Sequence, residues 1–507
     1  MDEERIGGDN DLTWSRREFV RRAGGAAGAL VVGGSLGYGL LEPGTAAGSE
    51  LVIRPADSVG NGVRVFRSRG DIHPALLTVS RRTSRAADGY LFLAPNSGPG
   101  QRGVMIVDDT GELVWFRRIF PQTAMNFRAA LYKGQPVLTW WEGKTDQGLG
   151  TGEHVIVDSS YQDLARFPAG RGRQSDLHEL ILTPRGTALI TSWESRTRDL
   201  TYLGGTSRHE VIGGVVQEIE IPSARVLFEW RSLDHVPIDE SHQGVGPSFD
   251  YFHINSIDLD VDGNLLVSAR NTWTLYKIDR GTGKVLWRLG GKKSDFAMGP
   301  GTSFAWQHDA RHLGPGDRFI SLFDNGAAPP VESHSHAMIL QVDHRAKRVT
   351  LGRDYHHDTE QLLAFAMGNA QRLGNGNLLV GWGTEPHLTE FSIGGDVVFD
   401  AHLPPGGQNY RAFRLPWVGR PTDRPRLVVR STTAGRRLYV SWNGATEVAA
   451  WQLRAGQVPG DLTVRATGKK RSFETMLTAP TGARFAAVAA LDRHGKVLAT
   501  SKVIRCR

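Results

Sequence analysis

The chain has 507 residues, 40% of them hydrophobic and 22% charged, and its formal charge of +7 comes mostly from arginine scattered along its length. That length exceeds one ordinary core and calls for a large domain with a companion; without basic runs interleaved with aromatics, the charge argues against a nucleic-acid surface and leaves anionic small substrates open. With 61 glycines and one cysteine, the composition points to many tight turns, and so to β structure, and excludes a disulfide framework.

The first element is a targeting segment at 1–47. Ser15-Arg16-Arg17-Glu18-Phe19-Val20-Arg21 matches the twin-arginine pattern, and Ala23 to Leu41 follows as a weakly apolar Gly/Ala-rich stretch. Its glycine content argues against a transmembrane anchor, and Pro43 with Thr45-Ala46-Ala47 offers a small-residue cleavage site. The expected partner is the Tat translocase. The expected location is extracellular, periplasmic or at the cell surface, with membrane anchoring if the segment is not cleaved.

Residues 50–84 read as a strand leader able to pair with either neighbour. From Gly89 onward, short strands of Val, Ile, Leu and Trp alternate with Gly, Asp and Asn turns, and helical periodicity is nearly absent. One phrase repeats: Gly111-Glu-Leu-Val-Trp115, Ala224-Arg-Val-Leu-Phe228, Gly283-Lys-Val-Leu-Trp287 and Gly395-Asp-Val-Val-Phe399. Gly111 and Gly283 lie 172 positions apart, about three periods of 57, and Gly283 and Gly395 lie 112 apart, about two. Gly263-Asn-Leu-Leu-Val267 and Gly376-Asn-Leu-Leu-Val380 keep the same beat. A period of this size suits a four-stranded propeller blade. The expected fold is therefore all-β: a six-bladed β-propeller over 85–405, with five or seven blades as alternatives. A β-solenoid would not accommodate the long irregular stretch from Arg196 to Val211. After Pro404-Pro405-Gly406-Gly407 the beat stops, and alternating strands over 415–507 predict a small Ig/fibronectin-like β-sandwich. Cys506 has no expected role.

Aligned on their glycine turns, three histidines coincide. His178 precedes Gly186 by eight residues, His253 precedes Gly263 by ten and His308 precedes Gly316 by eight, while Asn126 and Gly368 occupy the neighbouring repeats. Equivalent strands of a propeller present the same end to the channel, so the three imidazoles can converge. An antiparallel hairpin centred near Asp262 brings Arg270 to the same end as His253. A lone histidine is usually satisfied within its own strand; three at matched positions call for another reason. Three imidazoles could bind a metal, but no carboxylate shares their register, and no metal or cofactor is expected. His334 with His336, and the doublet His356 and His357, read as surface or turn pairs. A neutral imidazole nucleophile beside a guanidinium instead suits sulfuryl or phosphoryl transfer.

Specific phrases sharpen this. Asp176-Leu-His178-Glu179, Asp250-Tyr-Phe-His253-Ile-Asn-Ser256, Leu289-Gly-Gly-Lys292 with Ser294-Asp-Phe296, Trp306-Gln-His308-Asp-Ala-Arg311 and Phe323-Asp-Asn-Gly326 together resemble the arylsulfotransferase family. The resemblance spans most of 85–400. It implies a six-bladed propeller that moves a sulfuryl group from a phenolic sulfate ester to a phenol without a nucleotide donor. It implies His308 as the nucleophile that forms a sulfohistidine, with His178, His253 and Arg270 holding the sulfuryl oxygens. Asn255 and Lys292 are assigned to substrate binding, although Lys292 and Lys293, which could add positive potential at the channel mouth, read more readily as solvated lysines. Well-described bacterial members carry a disulfide near the nucleophile, and this chain, with Cys506 alone, departs from them. A non-catalytic ligand-binding propeller and a metal-dependent lyase of acidic polysaccharides are the competing readings.

Overall fold

The computed structural model describes residues 54, 55, 58–433 and 435–506; the twin-arginine segment at 1–47 lies outside them. The described chain is all-β apart from three short 3-10 turns, and among the described residues no helix is long and apolar enough to cross a membrane.

The strands pair in sequential up-and-down meanders. One runs Ile254–Leu259, Leu265–Ala269, Thr274–Ile278, Val285–Gly290; the next begins at His308–His312 and another at Asn369–Arg372. Thr123–Tyr132 and Ser175–Leu182 each open a meander of four; a single pairing, Gly152 with Ser175, joins the two meanders, and Ser248–Asp250, parallel to His209–Glu220, makes the sheet nine-stranded. The repeated glycine is the last residue of the hairpin turn: Gly111, Gly263 and Gly395 have φ of 82°, 80° and 94°, a region only glycine enters freely. Ala224 stands at that place in its own phrase and takes φ 56°. Apolar side chains on both faces of these strands, Leu265, Val267, Tyr276 and Ile278 on one and Leu266 and Leu275 on the other, fill the space between neighbouring sheets, which is why the strands read as near-continuous hydrophobic runs.

Strand pairing continues past the Pro404–Gly407 break, where the beat of the sequence stops. Phe413–Leu415 returns to pair with Tyr90–Leu93, so a late strand completes the sheet of Gly103–Val107 and Leu113–Arg118. The leader divides between both neighbours: Arg54–Pro55 pairs with Glu474–Thr478, and Thr78–Arg82 adds a fifth strand beside Val397–His402. The C-terminal residues form two sheets that share an apolar core of Leu438, Val440, Trp451, Leu453, Leu477 and Val488, with Cys506 buried against it. They are clipped to the rest by polar contacts. The Asn443 side chain exchanges two hydrogen bonds with the Phe116 backbone (3.0 and 2.9 Å), and Gly444 N–H donates to the Val114 carbonyl; together these cover an otherwise open strand edge.

Candidate active site

Four of the strands that open a meander pair irregularly with their neighbour. The ladders slip between Thr139 and Trp141, Ser175 and Leu180, Ile254 and Ser256, and His308 and Arg311. Asn126, His253, Trp306 and Met367 there take φ between 55° and 65°. Such backbone costs on the order of 1–3 kcal/mol per residue and gathers where a bulge re-aims side chains at a site.

Polar contacts run from one innermost strand to the next. Asn126 donates to the His178 carbonyl (3.4 Å), Asn255 to the Gln307 carbonyl (2.5 Å) and Ala370 N–H to Asp309 (3.2 Å). Asn369 donates to the Ala412 carbonyl (2.9 Å), and Arg411 donates to Asn126 (3.3 Å), returning to the first strand.

At this centre the three matched histidines meet. The rings of His178 and His253 stand edge to face, 4.8 Å between centroids, and both imidazoles, with Arg270, lower the proton affinity of His308. Arg270 N–H donates to the His253 carbonyl (2.9 Å), as the hairpin register requires. Its guanidinium lies over the Trp306 ring at 4.8 Å and reaches Asn271 and the Phe365 carbonyl. Burial pushes its pKa down to about 10, which leaves it cationic at neutral pH. Gly148 closes the turn above His253 with φ 86°, and a Cβ there would come within 3.1 Å of His253 Cε1.

The imidazoles are oriented differently. His178 Nδ1 is held by Asp176, and His253 Nδ1 by Asp250 at 2.5 Å; a carboxylate on Nδ1 leaves Nε2 as the reactive nitrogen, and at His178 burial outweighs the Asp176 charge and lowers the pKa. His308 has no carboxylate. Its Nδ1 contacts the Trp306 carbonyl (3.1 Å) and Asn325 Oδ1 (2.6 Å). Asn325 cannot be turned round, because its Nδ2 donates to the Ala364 and Met367 carbonyls (2.9 and 3.0 Å). Two acceptors on Nδ1 require the proton there, so the Nε2 lone pair is free except for a 3.3 Å bond from Met367 N–H. Burial, and then the Arg270 cation, push the His308 pKa well below the ordinary value. At neutral pH it is an uncharged imidazole with Nε2 as its base and nucleophile.

Beneath lies a buried ionic cluster. Glu179 receives Arg311 (2.5 Å) and Arg411 (3.2 Å), and Asp309 also accepts from Arg311 (2.6 Å). Burial pushes the Glu179 carboxyl up, but Arg311, Arg411 and Arg128 more than offset this and hold it at about 2. Arg411 also donates to the Asn255 carbonyl (2.7 Å), and Tyr410 reaches the His178 carbonyl (3.3 Å).

Of the residues singled out in the sequence, His178, His253, His308 and Arg270 come together. Asn255 is fully buried, and its amide holds the backbone preceding His308. The Lys292 ammonium bonds the carbonyls of Asp239 and Ser241 (3.0 and 2.5 Å). Both are thus engaged with backbone carbonyls. Asp176, Asp250, Glu179, Arg311 and Asn325 lie inside the quoted phrases but carried no role in the sequence reading. Tyr410 and Arg411 were missed because they follow the break in the repeat.

Compared with known proteins, the model of the Arylsulfotransferase (ASST) family matches residues 128–403. No curated protein matches the chain. Among solved structures, a protein of unknown function from Bacteroides caccae is 14% identical, with TM-score 0.39 over 64% of this chain and 98% of its own. A protein from Lactobacillus plantarum is 12% identical, with TM-score 0.34 over 77% and 100%. Virginiamycin B lyase from Staphylococcus aureus is 9% identical, with TM-score 0.30 over 73% and 96%. All three likenesses are distant.

Proposed function

We propose, from the premise that this chain belongs to the arylsulfotransferase family, that it moves a sulfuryl group from an aryl sulfate to a phenol through a covalent intermediate on His308 Nε2. The observation that carries this reading is the Asn325 contact, which leaves the nucleophilic lone pair on Nε2 of an uncharged imidazole.

In the first half-reaction Met367 N–H releases Nε2, which attacks sulfur; the N–S bond forms as the bond from sulfur to the phenolic oxygen breaks. The negative charge on the three sulfuryl oxygens is met by the Arg270 guanidinium, with the carboxylate-held imidazoles of His178 and His253 beside it. The departing phenolate takes a proton from solvent, relayed through this imidazole pair. In the second half-reaction the acceptor phenol returns a proton to the pair, its oxygen bonds to sulfur, and the N–S bond breaks. Arg270 neither gives nor takes a proton; it is the fixed cation.

The six meanders and their returning circuit of contacts support a six-bladed propeller around this centre, and the two C-terminal sheets support a sandwich packed beside it. The twin-arginine pattern supports export by the Tat translocase, to a location where nucleotide sulfate donors are scarce. The substrates on this reading are a small aryl sulfate and a phenol.

The deciding experiment incubates purified mature protein with 35S-labelled 4-nitrophenyl sulfate without acceptor. Label is expected on His308, alkali-stable and discharged by added phenol. No label and no nitrophenol with any phenol would leave a binding module. Activity lost on chelation and restored by metal would favour the lyase.

A further inference from the structure

Outside this centre, the loop after Asn325 folds three more histidines together. The ring of His356 lies 4.7 Å from His334 and 4.8 Å from His336, at the end of the hairpin formed by His336–Asp343 and Arg348–Tyr355. Asp324 and Glu332 approach the same place.

We propose that Asp324, Glu332 and His336 form a binding site for a zinc-like divalent cation, with His356 or His334 as its fourth ligand. The spacing is the first argument. His336 Nε2 stands 3.5 Å from Glu332 Oε2 and 3.6 Å from Asp324 Oδ2, too long for hydrogen bonds. Donors about 2.1 Å from a tetrahedral zinc are separated by about 3.4 Å. The second argument is unmet polarity. Asp324 is fully buried; its Oδ1 accepts the Ala305 and Gly326 amides, whereas its Oδ2 has no hydrogen-bond partner. Nδ1 of His336, itself 8% exposed, has none either.

The rings of His336 and His356 lie parallel, 7° apart, so their lone pairs do not converge as they stand. His356 is 40% exposed and free to turn, and its Nε2 is already bonded to Asp354 (2.9 Å), the outer carboxylate common behind a ligating imidazole.

Two other groups of donors are already satisfied. In Asp260, His312 and Asp317 the Lys277 ammonium takes the place of the cation. In His357, His387 and Asp400 both nitrogens of His357 are used, Nε2 by Asp400 and Nδ1 by the Glu360 amide.

The test is calorimetric titration of zinc chloride into tag-free, chelator-treated full-length protein. About one equivalent is expected to bind. Glu332→Gln and His356→Ala, both at exposed or half-exposed positions, should weaken binding about tenfold or more, and His336→Gln should abolish it with the circular dichroism spectrum unchanged. His308→Ala and His387→Ala should bind as the wild type does. The proposal is overturned if zinc does not bind saturably, if the equivalent survives both Glu332→Gln and His336→Gln, or if it disappears in His308→Ala or His387→Ala.

Discussion

His308 and His312 open and close the same five-residue strand, both buried, and their proton affinities move in opposite directions. At one end burial, Arg270 and two more imidazoles drive the His308 pKa well below its ordinary value. At the other, burial is outweighed by Asp258 (2.7 Å) and Asp317 (2.8 Å), and the His312 pKa rises to about 9. Burial of an imidazole therefore decides little by itself; the sign of the neighbouring charge decides whether it becomes a nucleophile or one half of an ion pair.

The largest effect expected across this contrast is chemical. His308→Ala should lower kcat by at least about 10⁴-fold, roughly 5 kcal/mol, measured as nitrophenol release with a phenol acceptor, while His312→Gln, once folded, should retain turnover. Equal losses in the two variants would erase the distinction.

Arg270→Gln should cost about 10² to 10³ in kcat and, by removing a cation beside His308, raise its pKa. The acid limb of kcat/KM, which in the wild type should lie below pH 6.5, then moves upward in the variant. A limb that stays in place would mean that another group titrates.

For His312 the readout is stability. Its folded pKa of about 9 lies above the unfolded value of about 6.5. Its contribution, up to about 3 kcal/mol, is therefore complete below pH 6.5 and is lost as pH rises through 9. His336 is raised in the same range, so the useful quantity is the difference between wild type and His312→Gln in urea unfolding. That difference should be large at pH 6 and small at pH 9.5; the same penalty at both would contradict the assignment.

The smallest effect concerns tautomer. Asn325→Ala leaves the longer Trp306 carbonyl contact as the acceptor on Nδ1 of His308, weakens the hold on that proton and should reduce kcat about tenfold with KM little changed. Asn325→Asp would instead supply the carboxylate that His178 and His253 already have. It should raise the His308 pKa, visible in the histidine NMR titration, and a titration like the wild type would show that Asn325 does not set this nitrogen.

Much of the centre was legible before any coordinates because turn chemistry repeats. A glycine with positive φ closes each hairpin, so counting back from Gly186, Gly263 and Gly316 identifies the matched histidines, and counting forward across Asp262 identifies Arg270. The same method failed where the beat ended: Tyr410 and Arg411 reach the centre on a returning segment after Pro404-Pro405, which has no repeat to align. Lys292 is a separate case. Its charge suggested an anion, but its ammonium is spent on two carbonyls in a turn far away in sequence.

By itself the sequence determined the β architecture, the family and the identity of the converging imidazoles, because each follows from local patterns of turns and alternating side chains. Only the tertiary structure decided which imidazole is uncharged and which nitrogen bears its lone pair. Those properties depend on the charges and hydrogen bonds that Arg270, Asn325 and Asp258 supply from elsewhere in the chain and that Asp176 and Asp250 supply from two and three residues away, and the folded chain alone sets their geometry.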